Sequence, residues 1–529
     1  MHEIELLVIL LAVTTALAEV ANRLSIPYPV LLVLAGLGLS LLPGLPPVVL
    51  APELVFFVFL PPLLYASAWE LSWSAFRSEA RPISLLAVGC VLFSLAVVAA
   101  VAHYVLPGFG WGPAFVLAAI VAPTDAVSAS VATKGLPVPR RLTTILEGES
   151  LVNDATGLIA YRYAVAAVLT GQFALGKAAG QLVLVAGVGI GVGLAVGAAF
   201  YGVHRLSRTS VAIDTSLSLL TPYAAYLLAE TFHGSGVLAV VAAALFGSHY
   251  SGRIFAHDRR LQAAAVWDTL EFLMNGLVFI LIGLQLPAVI EGVAPGLRWP
   301  LVGYGVLISL AVLGARMLWV YPSSYLPRWL SRRAEVDAPT FGELTLLGWG
   351  GMRGVLSLAA ALAVPLALPS GAEFPQRNPI LLLTFIVILV SLLVQGLTLR
   401  PLISLLGIET DDRAEREELA LRVRLASQSL AYLRSPEAAS QAPAEILGRM
   451  QSRYQIRLDR LQKRATEGHD AVPEATLSPF QKLQEVLIHY ERGVLEELRR
   501  AHDSSEETLR KLELELDLEE GRLALDKAQ

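Results

Sequence analysis

Cysteine is almost missing: the chain of 529 residues holds one, Cys90. A single thiol excludes an internal disulfide and a metal site built from several cysteines. Its place in an apolar run suits a small buried residue. Charge is scarce over most of the chain. Residues 1–408 hold 21 Lys and Arg and 20 Asp and Glu, whereas residues 409–529 hold 19 and 25 in less than a third of that length. The net charge of −5 is set by this tail, whose balance is 19 − 25 = −6. That charge is too mild and too mixed for nucleic-acid binding. No phosphate-cradling Gly-rich loop and no His/Cys cluster occurs, which disfavours ATP-driven pumping and leaves no cofactor expected.

Apolar sequence is what the chain has in abundance. It is 55% hydrophobic, with a mean hydropathy of +0.60. Such values mark a polytopic membrane protein. The charge contrast divides it into a membrane domain, 1–408, and a soluble tail, 409–529. Residues 6–18, LLVILLAVTTALA, have the apolar core and Ala-x-Ala ending of a cleaved signal. His2, Glu3 and Glu5 precede them in place of a basic region, so the segment reads as a retained first span.

A helix needs about 20 mostly apolar residues to cross the hydrocarbon. Thirteen segments qualify, near 4–22, 28–44, 51–68, 83–104, 112–133, 142–170, 178–203, 213–231, 235–250, 263–290, 299–321, 341–368 and 379–405. Their loops alternate in charge. One set holds fourteen basic residues, and the other holds Lys177, Arg298 and Arg377. The positive-inside rule puts the richer set in the cytoplasm, with the N-terminus outside and the tail inside.

A charge at membrane depth costs several kcal/mol unless it faces a partner or a watery cavity. The fifth segment holds Thr124 and Asp125 directly after Pro123, which lacks a backbone donor and interrupts a helix. Freed carbonyls there suit a cation, and Asp125 also suits the cap of a following half-helix. The sixth segment contains LEGESLVNDATGLIAYR, 146–162. At helical spacing Glu149 stacks on Asn153 and Ser150 on Asp154, so the four make one polar face. Glu147 projects elsewhere and suits a hydrated helix end. Arg162 lies eight residues beyond Asp154 and requires an acid or a cavity. In the twelfth segment Arg353 stands in the Gly-rich stretch LLGWGGMRGVLSLA. Arginine stays charged, and Glu149 is the partner expected for it, in a pair that holds two helices together. Asp154 is then left for a transported ion. A carboxylate holds a proton or an alkali cation and not both well, so one such site exchanges the two by competition. Hydroxyl, carbonyl and carboxylate oxygens are hard ligands suited to these cations.

With these residues in view, the chain resembles cation/proton antiporter family one, the sodium/proton exchangers. The matching stretches are FLPPLLYASAWEL (59–71), APTDAVSAS (122–130), GESLVNDATGL (148–158), VWDTLEFLMNGLVFILIGLQL (266–286), ARMLWVYP (315–322) and GWGGMRGVLSLA (348–359). The resemblance implies an all-α membrane fold with inverted repeats. Its six-helix core, with crossed unwound helices, would move against a dimerisation domain in a lipid-embedded homodimer of the plasma membrane. It implies an electroneutral Na⁺(Li⁺)/H⁺ antiporter rather than an enzyme. Asp154 would bind cation or proton, and Ser150 and the main chain at Thr124 would supply further oxygens to Na⁺. Asn153 would mark one-for-one exchange, Asp125 would stabilise the unwound segments, and Glu149 and Arg353 would form the buried pair. Many relatives carry an acid after Leu-Pro-Pro where this chain has Ala66, and the next carboxylate is Glu70. The same chemistry also serves K⁺/H⁺ exchange. Two rivals come from other classes: an intramembrane aspartyl protease using Asp125 and Asp154, which lacks that class's Gly-x-Gly-Asp element, and a non-transporting receptor.

The tail reads as about four helices, regulatory or dimer-bracing. Leu483, Val486, Leu487, Tyr490 and Val494 form one apolar stripe. His469, His489 and His502 are its candidate pH-sensitive groups.

Overall fold

A computed structural model describes residues 2–24, 26–41, 55–125, 138–171, 175–206, 211–254, 257–330, 339–408, 412–467 and 479–501, with 52, 128, 136 and parts of 512–523. Residues 126–127 and 129–133 of the fifth expected span, and His469 and His502 of the tail, lie outside these. The described residues are helical apart from turns and one isolated bridge, Ala367 to Glu373. Helix is what this composition dictates, because in hydrocarbon a segment must satisfy its own backbone polar groups.

Each of the thirteen apolar segments carries helix. In chain order these are α1 His2–Leu24, α2 Tyr28–Ser40, α3 Val55–Glu70, α4 Ala80–Val105, α5 Trp111–Val121, α6 Arg140–Thr170 and α7 Leu175–Leu206. Then follow α8 Val211–Thr231, α9 Gly236–Ile254, α10 His257–Leu284 and α11 Pro295–Leu330. The twelfth segment is two half-helices, α12 Phe341–Trp349 and α13 Val355–Leu362, and α14 Arg377–Leu405 completes the series. Among the described residues six helices are long and apolar enough to cross a membrane by themselves, and five shorter ones are apolar.

Helix ends follow local chemistry. A capping box of Thr340 and Glu343 starts α12. Gly171, in the left-handed region at φ 68°, closes α6. The chain leaves helix at Ala122–Asp125, around Pro123, and again at Gly351–Gly354. Proline and glycine are the residues that propagate a helix least well.

The segments sort into two packed groups. One comprises α4, α5, α6, α11, the α12–α13 pair and α14; the other comprises α1, α2, α3 and α7 to α10. Helix α6 lies where they meet, touching α3, α7 and α9. The chain divides into two compact units, 1–410 and 411–529. Within the second, α15 Asp412–Leu433 packs on α16 Ala444–Glu467 through Ala426, Leu430, Leu458 and Leu461. Helix α17, Pro479–Ala501, turns Ile488 and Leu495 inward, whereas the stripe from Leu483 to Val494 is exposed.

Candidate functional site

The two helix breaks meet. The Asp125 N–H donates to the Met352 carbonyl at 2.8 Å, and the Arg353 Nε–H donates to the Val121 carbonyl at 3.2 Å. A β-carbon on Gly354 would collide with the Asp125 carboxylate, and one on Gly157 would collide with the Pro123 ring. Only glycine lets the second break and helix α6 approach the first this closely.

Asp125 accepts hydrogen bonds from the backbone N–H of Ser128 at 3.2 Å and from the Ser128 hydroxyl. A carboxylate accepting from the N–H three residues on has the spacing of an N-cap.

Against this crossing α6 sets its polar face. Thr124 forms the hub: its hydroxyl lies 3.2 Å from the Ser150 hydroxyl and accepts from the Asn153 amide at 2.6 Å. All three are buried. Asn153 Oδ1 is buried and has no hydrogen-bond partner among the described residues. Asp154, the next residue, is 4% exposed, and its carboxylate makes no hydrogen bond or ion pair with the described residues. Asp125 directly follows Thr124, the hub of this cluster, in the chain. A buried carboxylate next in sequence to a residue with a lone amide oxygen favours a positive guest, a proton or a small cation with hard-oxygen preference.

Glu149 departs from expectation. Its partner is Arg316 of α11, not Arg353. Both terminal nitrogens of Arg316 donate to the carboxylate, with Nη2–Oε2 at 2.7 Å. The same guanidinium donates to the Leu347 and Gly348 carbonyls at 2.9 and 3.1 Å. Arg353 donates to the carbonyls of Val121 and Gly351, and its backbone N–H donates to Ser391 Oγ at 2.9 Å. The physical reason is the breaks themselves. The last carbonyls of α5 and α12 lack intrahelical partners and carry partial negative charge. Arg353 satisfies the end of α5 and Arg316 that of α12, and Arg316 alone also has a carboxylate to neutralise. Arg316 was visible in ARMLWVYP as an arginine inside an apolar segment, and that was the signal by which it could have been found.

The remaining charges of the sixth segment separate. Glu147 is only partly buried. Arg162 finds its acid on α8: one guanidinium nitrogen bonds both oxygens of Glu230, at 3.0 and 3.1 Å. A cavity of about 310 Å³ lies between α3, α8, α9 and α10, lined in part by Glu70, Asp214, Asp268 and Glu271. Ala66 and the Tyr65–Trp267 stack line it too, whereas Asp154 is not among its described walls.

Comparison with known proteins agrees with this architecture. The family described as sodium/hydrogen exchanger, transmembrane, matches residues 8–405. The chain is 32% identical over 440 residues to the sodium, potassium, lithium and rubidium/H⁺ antiporter of Bacillus pumilus, covering 81% of this chain and 65% of that protein. It is 32% identical over 516 residues to the Na⁺/H⁺ antiporter ApNhaP of Aphanothece halophytica, covering 94% of each. In fold it is similar to the sodium proton antiporter MjNhaP1 of Methanocaldococcus jannaschii. The TM-score is 0.61 at 20% identity, over 76% of this chain and 98% of that one.

Proposed function

The chain belongs to the sodium/hydrogen exchanger family, whose members are transporters and not enzymes, and on that premise we propose that it exchanges Na⁺ or Li⁺ for H⁺ at Asp154. The observation that carries this reading is the buried Asp154 carboxylate, which has no hydrogen-bond or ion-pair partner among the described residues, next in sequence to the Thr124–Ser150–Asn153 cluster, whose amide oxygen is likewise unpaired among them. Cation and proton compete for that carboxylate. Ser150 and Thr124 offer hydroxyl oxygens to the cation, and Asn153 Oδ1 offers a third. Asp125 adds negative charge while its carboxylate holds Ser128. Glu149 takes no part in exchange, because Arg316 already neutralises it.

Because one carboxylate serves both ions, one cation leaves for each proton that enters, and the cycle is electroneutral. The protein works as a homodimer in the plasma membrane, with the N-terminus outside and the tail in the cytoplasm. The charge asymmetry of its loops supports that orientation. The name of the Bacillus pumilus relative includes potassium and rubidium, so K⁺/H⁺ exchange by the same site is the second reading.

The test is proton flux in proteoliposomes under Na⁺, Li⁺ and K⁺ gradients. Asp154→Asn is expected to abolish flux with every cation while the chain still folds. Sodium-driven flux retained by Asp154→Asn would refute the assignment. A response to K⁺ equal to that for Na⁺ would favour the second reading.

A further inference from the structure

The break between α12 and α13 is held from a third helix. Residues Gly350–Gly354 are all buried, and a buried backbone group without a partner is costly. Inside the break the Gly350 N–H donates to the Leu346 carbonyl at 2.8 Å and the Met352 N–H to the Gly350 carbonyl at 3.0 Å. The Arg353 N–H and the Trp349 carbonyl find their partners on α14. At Ser391–Gln395 that helix widens into a π-helical turn. Such turns interrupt the regular ladder and recur at functional sites. Ser391 and Gln395 are both buried.

Their hydrogen bonds form one directed chain. The Arg353 N–H donates to Ser391 Oγ at 2.9 Å. The Ser391 hydroxyl donates to Gln395 Oε1 at 2.5 Å. The Gln395 Nε2–H donates to the Trp349 carbonyl at 2.7 Å. The Trp349 ring adds an outer tie, its Nε1–H donating to Thr398 Oγ1 at 3.0 Å. Helix α14 therefore grips the break on both sides, at Trp349 before it and at Arg353 after it. Between these anchors stands Met352, whose carbonyl takes the Asp125 N–H. The Arg353 side chain joins the same two breaks through the Val121 carbonyl. Asp125 follows Thr124, the hub that bonds Ser150 and Asn153 of α6. A shift of the second break would thus carry the first with it, and move the Thr124 hydroxyl against the polar face of α6.

We propose that Ser391 and Gln395 are positioning residues for cation exchange: they fix the α12–α13 break, and through the Met352–Asp125 contact they set the Thr124 hydroxyl against Ser150 and Asn153. The proposal rests on the exchange reading, which makes that cluster the cation site. A pair that only stabilised the fold would change how much of the chain folds. A positioning pair changes the cation affinity of each folded molecule.

The test is Na⁺-driven proton flux in proteoliposomes at one fixed pH, with the rate expressed per folded, reconstituted molecule. The half-saturating Na⁺ concentration and the maximal rate are read separately. Ser391→Ala removes an acceptor and a donor, whereas Ser391→Thr keeps the hydroxyl. Ser391→Ala should raise the half-saturating concentration roughly two- to tenfold, the net worth of a hydrogen bond, with the maximal rate changed less. Ser391→Thr should return it close to that of the unaltered chain. Gln395→Met, which keeps the length and loses both polar atoms, should raise it as Ser391→Ala does. An unchanged half-saturating concentration in Ser391→Ala overturns the proposal, whatever the maximal rate, and so does a Ser391→Thr as impaired as Ser391→Ala. If Ser391→Ala fails to fold, Gln395→Met decides by the same reading, because it leaves the Arg353 N–H bonded to Ser391. Asp154→Asn, measured in parallel, reports on the exchange reading alone. Loss of flux there with an unchanged Ser391→Ala sinks only the positioning role. Flux retained there refutes the Asp154 assignment, while a half-saturating concentration raised by Ser391→Ala and restored by Ser391→Thr still ties α14 to cation affinity.

Discussion

At the scale of single residues, burial and pairing divide the charges of one helix into different tasks. Glu149 and Arg316 are both fully buried and mutually bonded, so removing one leaves the other uncompensated. Arg316→Ala is expected to cost about 3–5 kcal/mol, and Arg353→Ala about 1–3 kcal/mol, from carbonyls left without donors. Thermal melting in detergent checks the order. A larger loss for Arg353 would mean that carbonyl satisfaction outweighs ion pairing in this core. The spacing of Ser150, Asn153 and Asp154 on α6 was legible in the sequence, because i and i+4 positions share a helix face whatever surrounds them. The partner of Glu149 was not. Arg316 and Arg353 both stood inside apolar segments, and the glycines around Arg353 made it the more conspicuous of the two. Those glycines instead mark a break, whose bare carbonyls claim a guanidinium of their own. Arg162 was legible only as a demand for an acid; Glu230, sixty-eight residues on, lies beyond the reach of any local pattern.

At the scale of elements, the site depends on two helices failing at the right places. Pro123 ends one run and the glycines 350, 351 and 354 end the other, and the two unwound stretches exchange a backbone hydrogen bond. The positions of both breaks could be read from proline and glycine; that they touch could not, since contact between segments over two hundred residues apart is a tertiary fact. Gly354→Ala tests the crossing. Its methyl would collide with the Asp125 carboxylate, and relieving such overpacking typically costs about 1–3 kcal/mol. The expected outcome is a chain that inserts and melts at a lower temperature, with cation affinity reduced because the Asp125 carboxylate is displaced. Wild-type transport and stability would show that the crossing tolerates a side chain. In the tail, helical periodicity located α17 correctly, but its apolar stripe faces outward.

At the scale of the whole molecule, the segments form two groups with the polar face of α6 turned into one of them and its flank against the other. Composition was sufficient to locate the chain's apolar segments, because those follow from solvent partition. The sorting of segments into groups follows from packing and needed the structure. Electroneutral exchange is a property of the complete cycle. Flux should therefore be indifferent to an imposed membrane potential in the unaltered chain, and Asn153→Asp, which adds a carboxylate at the site, should make it respond. An unchanged response would remove Asn153 from the control of stoichiometry.

The central claim, that cation and proton compete for Asp154, is tested most directly by the pH dependence of the half-saturating Na⁺ concentration in proteoliposomes. A proton on the carboxylate must leave before Na⁺ enters. The half-saturating concentration should thus rise about tenfold for each pH unit of acidification below the carboxyl pKa and level off above it. A value independent of pH, with exchange otherwise intact, would contradict a shared site.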